Sequence, residues 1–141
     1  MPVNAQLVFE RAIALMDEGD EHTGRMDIPE TRGYKHRALP LVNLLGQECA
    51  DILGTGEEWE DAEGFETPLR LREEAARTAL PYGLAAQLFL DEAPAAAAFF
   101  QRRYEELLAR LVRGAKAEAE EIPLPYGTLE AKAEGGWPRW R

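Results

Sequence analysis

Apolar positions recur three and four residues apart in four stretches of the chain, the period of a helix that buries one face. In the first stretch Val8, Ala12, Leu15 and Met16 share a face and Asn4 stands where an amino-terminal cap belongs, which predicts a helix over residues 5–17. The polar run 18–30 holds Gly19, Gly24 and Pro29 without periodicity and reads as an exposed connection. A second stripe follows from Leu41 through Leu44, Leu45, Cys49, Ile52 and Leu53, with Thr31 placed to cap the helix and Gly54-Thr55-Gly56 to end it. Pro40 complicates its start. A proline inside a helix removes a backbone hydrogen bond and crowds the preceding turn. The choice is between a separate turn at 34–39 and one longer, kinked helix, and the single helix is expected.

The third stretch runs from near Leu71 to about Leu90, with Ala76, Leu80, Leu84 and Leu88 four residues apart. Pro81 and Gly83 sit inside it, at local costs of roughly 3 and 1 kcal/mol. Something must offset them: a kink that shapes the bundle, or the close approach of a neighbouring backbone at Gly83. Pro94 suits the first turn of a fourth helix, where its missing N–H costs nothing. Phe100, Tyr104, Leu107, Leu108 and Leu111 form that helix's apolar stripe, and Arg102, Glu106 and Arg110 are spaced to pair in series on another face. Gly114 marks one end for it, although the Ala/Lys/Glu run 115–121 can carry it further.

Between the second and third helices, Glu57, Glu58, Glu60, Asp61, Glu63 and Glu66 are interrupted by Trp59, Ala62, Gly64 and Phe65, and no Lys or Arg occurs between Arg37 and Arg70. Such a run is expected outside the core, as a solvated loop with Trp59 or Phe65 tucked back onto the domain. A cation site or a partner-docking loop is the alternative. The final segment, residues 122–141, holds three of the nine prolines and two of the three tryptophans, unlike a helix or a typical disordered tail. Tyr126, Trp137 and Trp140, with Arg139 and Arg141, are residue types enriched where protein surfaces meet. They make this segment a candidate arm for docking a partner, the alternative being an arm folded back on its own domain. The pattern predicts an all-α, four-helix bundle-like single domain over residues 1–121, with an acidic loop and an extended aromatic carboxy-terminal arm over 122–141.

Composition narrows the function classes. A chain of 141 residues with 45% hydrophobic content can bury a sizeable core. Lys+Arg 16 against Asp+Glu 26 gives a formal charge of -10, which disfavours a general polyanion-binding surface. One cysteine, Cys49, excludes an intramolecular disulfide, and its place on an apolar stripe suits a packed thiol better than a reactive thiolate. His22 lies amid Asp17, Glu18, Asp20 and Glu21 without the alternating pattern of a calcium loop. His36 lies in the basic cluster Arg32, Lys35, His36, Arg37, read as a solvated helix face rather than an anion site. The chain has no glycine-rich phosphate loop, no paired-cysteine motif, no H-E-x-x-H and no serine at all. No catalytic residue, metal or cofactor is expected, and the chain is not expected to be an enzyme. No apolar run approaches the roughly 20 residues of a membrane span, and the amino terminus lacks a basic stretch followed by an apolar one. A soluble, unprocessed chain is expected.

The run ALPYGLAAQLFLDEAPAAAAFFQRRYEELLARL, residues 79–111, resembles a pattern in small proteins that tailed phages and prophages encode near their portal and capsid genes. The upstream run ALMDEGDEHTGRMDIPETRGYKHRALPLVNLLGQE is similar to the same group. The likeness covers about residues 10–111 and rests on pattern and order, with residues 54–68 outside what aligns. The group is the head-tail connector, or adaptor, family. The resemblance implies a mainly helical protein that forms a homo-oligomeric ring, typically of twelve subunits, beneath the portal protein. It implies as further partners neighbouring copies and a tail-completion or stopper protein, with DNA passing through without specific binding. Its place would be the virion, and the host cytoplasm during assembly. On this reading Tyr126, Trp137, Arg139, Trp140 and Arg141 belong to a portal-binding arm. Glu57, Glu58, Glu60, Asp61 and Glu63 would line the lumen, where carboxylates repel passing phosphates. The alternatives are another morphogenetic component, such as a tail-completion protein or assembly chaperone, and an acidic host regulatory or DNA-mimic protein.

Overall fold

In a computed structural model, residues 2–16, 32–54 and 58–119 are described, the last of these with side chains through 114. The domain is all-α, four packed helical segments with no strand among the described residues. Helix α1 spans Ala5–Met16, α2 Arg32–Leu53, α3 Leu80–Leu88 and α4 Pro94–Ala119; a π-helical turn, Ala75–Ala79, leads directly into α3.

Asn4 caps α1 as expected: its Oδ1 accepts the Leu7 N–H at 3.0 Å, satisfying one of the donors that a helix start leaves unpaired. Val8, Phe9, Ala12, Ile13 and Met16 are buried, and Leu15 lies at the edge. Helix α2 runs without interruption through Pro40, whose ring is exposed, and stops at Gly54, whose φ of 63° only glycine adopts without strain.

The buried face of α2 differs from the expected stripe. Tyr34, Ala38, Val42, Leu45 and Cys49 point inward, while Leu44 and Ile52 face solvent. Small residues explain the rotation: Ala38, Gly46 and Ala50 let neighbouring elements approach more closely than Leu44 or Ile52 would permit.

The third stretch is helical from Glu73, near where the pattern starts it, but the π-helical turn interrupts it ahead of α3. Leu80 N–H bonds back to the Ala75 carbonyl, five residues earlier, so the backbone is widened just before Pro81, which falls in the first turn of α3. The proline cannot donate to the Arg77 carbonyl four residues before it. The Arg11 guanidinium of α1 donates there instead, Nη1 to O at 3.1 Å. Of the two gains considered, Gly83 provides a close approach, but to the Tyr104 ring of α4 rather than to a neighbouring backbone; a Cβ there would stand 3.0 Å from the ring.

Helix α3 is the centre of the domain, packing on α4, α1 and α2. Its Leu80, Leu84 and Leu88 are fully buried, each contributing roughly 1.5–3 kcal/mol. Phe100, Tyr104 and Leu108 of α4 meet them, with Leu107 and Leu111 at the margin. Pro94 opens α4 and the helix continues past Gly114 to Ala119. Glu106 pairs with Arg103 at 3.2 Å rather than with Arg102. Among the described residues no helix is long and apolar enough to cross a membrane.

Candidate functional site

The acidic segment is built onto the domain rather than draped over it. Asn43 of α2 holds Ala62 from both sides, its Nδ2 donating to the Ala62 carbonyl at 3.1 Å and its Oδ1 accepting the Ala62 N–H at 2.8 Å. Trp59 is buried with its indole over Gly46, a position where any Cβ would overlap the ring, and its Nε1 donates to Asp61 Oδ1 at 2.6 Å. Trp59 is thus tucked back onto the domain as expected, and with Ala62 it joins the core, although the run as a whole was expected outside it; Leu69, just beyond the run, is buried too. The reason is glycine: Gly46 leaves a slot on α2 that an indole fills.

Phe65 packs edge-on against Phe9, its carbonyl accepts the Gln6 N–H at 3.1 Å, and Leu69 N–H reaches the Val3 carbonyl at 2.8 Å. The loop is thus stitched to the start of α1 at one end and to α2 at the other. Its carboxylates are turned outward. Glu58, Glu60, Asp61, Glu63 and Glu66 are exposed, with Glu60 paired to Arg70 at 3.1 Å. Glu57 and the arm residues Tyr126, Trp137, Arg139, Trp140 and Arg141 lie outside the described residues, as does His22.

Of the basic cluster at the start of α2, Arg32, Lys35 and His36 line one open recess with Phe65, and Arg37 turns away from it. Arg37 Nη2 reaches the Leu88 carbonyl at the end of α3, and its guanidinium lies over the Tyr34 ring, while Lys35 lies over the Phe65 and Phe9 rings. Tyr34 donates to Glu92 Oε1 at 2.6 Å across the turn between α3 and α4.

Cys49 is buried and unpaired, 3.4 Å from Tyr104 Oη, which donates its proton to Glu48 Oε1 at 2.9 Å and so receives the thiol proton. Burial pushes the Cys49 thiol up to about 11, with the Glu48 carboxylate adding to the rise and the Tyr104 bond opposing it. The Tyr104 hydroxyl is raised for the same first reason, burial, and next by Cys49. At neutral pH this is a protonated structural pair, as expected for a core cysteine. Among the described residues no His, Cys, Asp and Glu cluster is arranged to hold a metal.

Sequence reasoning missed a groove of about 470 Å³ between α1, α3 and α4. Leu15, Tyr82 and Leu107 give it apolar lining and Arg11, Arg77 and Arg103 line it with guanidinium groups. Each arginine is already steadied: Arg11 on the Arg77 carbonyl, Arg77 through Nε on Glu73 at 2.7 Å, Arg103 through Nη1 on Glu106 and over the Tyr82 ring. The Glu73 carboxyl is held below its usual range chiefly by that Arg77 hydrogen bond. A signal for the groove does stand in the sequence: Arg11 precedes Leu15, Arg77 precedes Pro81 and Arg103 precedes Leu107, each by one helical turn. What the sequence lacks is the packing that brings three such pairs together.

No family model, curated protein or solved structure matches the chain.

Proposed function

We propose that the chain is a non-catalytic structural protein of a tailed phage or prophage, a head-tail connector subunit that forms a ring beneath the portal. The observation that carries this reading is the exposure of large apolar side chains on two separate parts of the fold. Leu44 and Ile52 of α2 are 68% and 48% exposed, and Leu90 and Phe99, after α3 and early in α4, are 57% and 53% exposed. A ring closed by rotation needs two unlike faces, one from each side of a head-to-tail contact, and large apolar side chains left outside the core on different elements support that reading. Support also comes from the segment 79–111 that carries the family likeness, because it forms the α3–α4 hairpin around which the other helices pack.

In this reading Glu58, Glu60, Asp61 and Glu63, turned outward on a loop anchored by Asn43 and Trp59, line the lumen and repel DNA phosphates as they pass. Residues 122–141, with Tyr126, Trp137, Arg139, Trp140 and Arg141, engage the portal protein. The working place of the protein is the virion, reached from the host cytoplasm during assembly.

The test is the mass of the purified chain by light scattering, alone and mixed with the portal protein of the same genome. A ring alone, or a complex of fixed stoichiometry with the portal, is expected. A monomer indifferent to the portal overturns the reading. Binding of an unfolded client instead marks a chaperone, and a complex with a DNA-binding protein marks a regulator.

A further inference from the structure

Most of the chain's surface chemistry is acidic, yet three arginines from three different elements converge around one apolar groove. Their side chains are oriented before any ligand arrives. Arg77 spends only its Nε on Glu73, and Arg103 only its Nη1 on Glu106, so each keeps further donors available in a fork that fits a carboxylate. The intramolecular partners are weak competitors, since exposed ion pairs of this kind are worth about 0–1 kcal/mol.

The groove's wall is also an irregular piece of backbone. The π-helical turn 75–79 and Pro81 form it, and π-helical insertions are a backbone irregularity found frequently at functional sites. They cost backbone hydrogen bonding here, repaired in part by Arg11, and the product is a widened helix start beside which Tyr82 and Leu15 give the groove apolar lining.

We propose that this groove docks a short acidic segment of a partner protein, seating a leucine or aromatic side chain on Leu15, Tyr82 and Leu107 with flanking carboxylates on Arg11, Arg77 and Arg103. Charge complementarity selects the occupant: an apolar lining alone is indifferent to charge, whereas three guanidinium groups beside it favour carboxylates and reject basic segments. The net charge of -10 sets its size. A large acidic body is repelled by the rest of the surface, while a short segment senses chiefly the local arginines within a Debye length of about 8 Å at physiological salt. This inference does not depend on the connector reading, because it concerns the isolated chain and needs no portal.

The experiment uses the full chain and a fluorescein-labelled octapeptide, Asp-Glu-Leu-Glu-Trp-Leu-Asp-Glu, followed by anisotropy, with methyl NMR shifts reporting where it sits. Saturable binding that weakens with salt is expected, with shifts at Leu15 and Leu107. R77E or R103E should each weaken it about tenfold, the loss of one charge-assisted contact. A14W, which blocks the groove mouth from an exposed position without touching a charge, should abolish it while leaving the helical circular dichroism and melting of the chain intact. Equal affinity for the peptide with its carboxylates converted to amides overturns the proposal, as do shifts confined to other helices or binding unchanged in R77E, R103E and A14W. Saturation by dodecanoate but not by the peptide overturns it in favour of a small amphiphilic anion. Self-association of the chain at low salt, lost in R103E, overturns it in favour of a second copy.

Discussion

Single residues in this domain act through the space that they leave as much as through the atoms that they carry. Gly83 receives the Tyr104 ring so closely that Gly83→Ala forces the ring or α3 to move. Alanine gains about 1 kcal/mol in helix propensity, but overpacking costs roughly 1–3 kcal/mol, so the variant is expected to be less stable, with a lower urea midpoint. Tyr104→Phe keeps the ring and loses the bonds to Glu48 and Cys49, at an expected cost of about 1–2 kcal/mol. Cys49 makes the protein's stability fall at alkaline pH. Its thiol is pushed up to about 11 in the fold from an ordinary value of 9.0, so between those values the unfolded chain releases a proton that the folded chain retains. The contribution is fully present below pH 9 and is lost as pH rises toward 11, by roughly 2–3 kcal/mol. Cys49→Ala should flatten that part of the curve, measured by urea unfolding from pH 7 to 11, while the raised Tyr104 hydroxyl keeps a decline of the same sign at higher pH.

At the level of elements, Pro81 separates two accounts of the third helical stretch. If it stood inside an uninterrupted helix, Pro81→Ala would stabilise the protein by about 3 kcal/mol. Placed in the first turn of α3 behind a π-helical turn, its missing N–H is already accommodated, and the substitution should change stability by no more than about 1 kcal/mol in thermal unfolding. Asn43→Ala removes both bonds to Ala62 and should cost about 1–3 kcal/mol, with faster amide exchange across residues 58–67 as the measured sign of a released loop. These two elements also mark how far the sequence could be read. Helices α1 and α4 were legible because each has one apolar stripe and a cap or an opening proline, as with Asn4 and Pro94, and the third stretch through its Leu80, Leu84 and Leu88 stripe, but not the π-helical turn that relieves Pro81. In α2 the large apolar residues misled, because Ala38, Gly46 and Ala50 decide which face is approached, and Leu44 and Ile52 are left outside. The acidic run read as a loop, yet the burial of Trp59 depends on the slot at Gly46, thirteen residues earlier on another element, which periodicity does not encode. The arginine groove was only half legible for the same reason: its pairs are local and can be read, but their convergence is tertiary.

For the whole molecule the question is whether its helical body and its last residues act separately. Residues 122–141 follow α4, which is described to Ala119, and the core residues among the described ones all lie at or before Leu108. Removing 122–141 therefore takes away none of those buried side chains, and the truncated chain should unfold at the same temperature as the full chain, within the few degrees that about 1 kcal/mol represents. The same truncation removes Tyr126, Trp137, Arg139, Trp140 and Arg141, the aromatic and arginine anchors that carry most binding energy at interfaces where they occur. If these anchors hold the portal, the truncated protein should lose its place in the portal complex on light scattering while its own helical spectrum persists. Retention of portal binding by the truncated chain would move the docking surface onto the helical body, where the exposed Leu44, Ile52, Leu90 and Phe99 are the residues to substitute next. A fall in melting temperature on truncation would instead mean that the arm folds back and completes the domain. Docking measured on single aspartate substitutions at Trp137 and Trp140 in the full-length chain then separates a binding defect from a folding one.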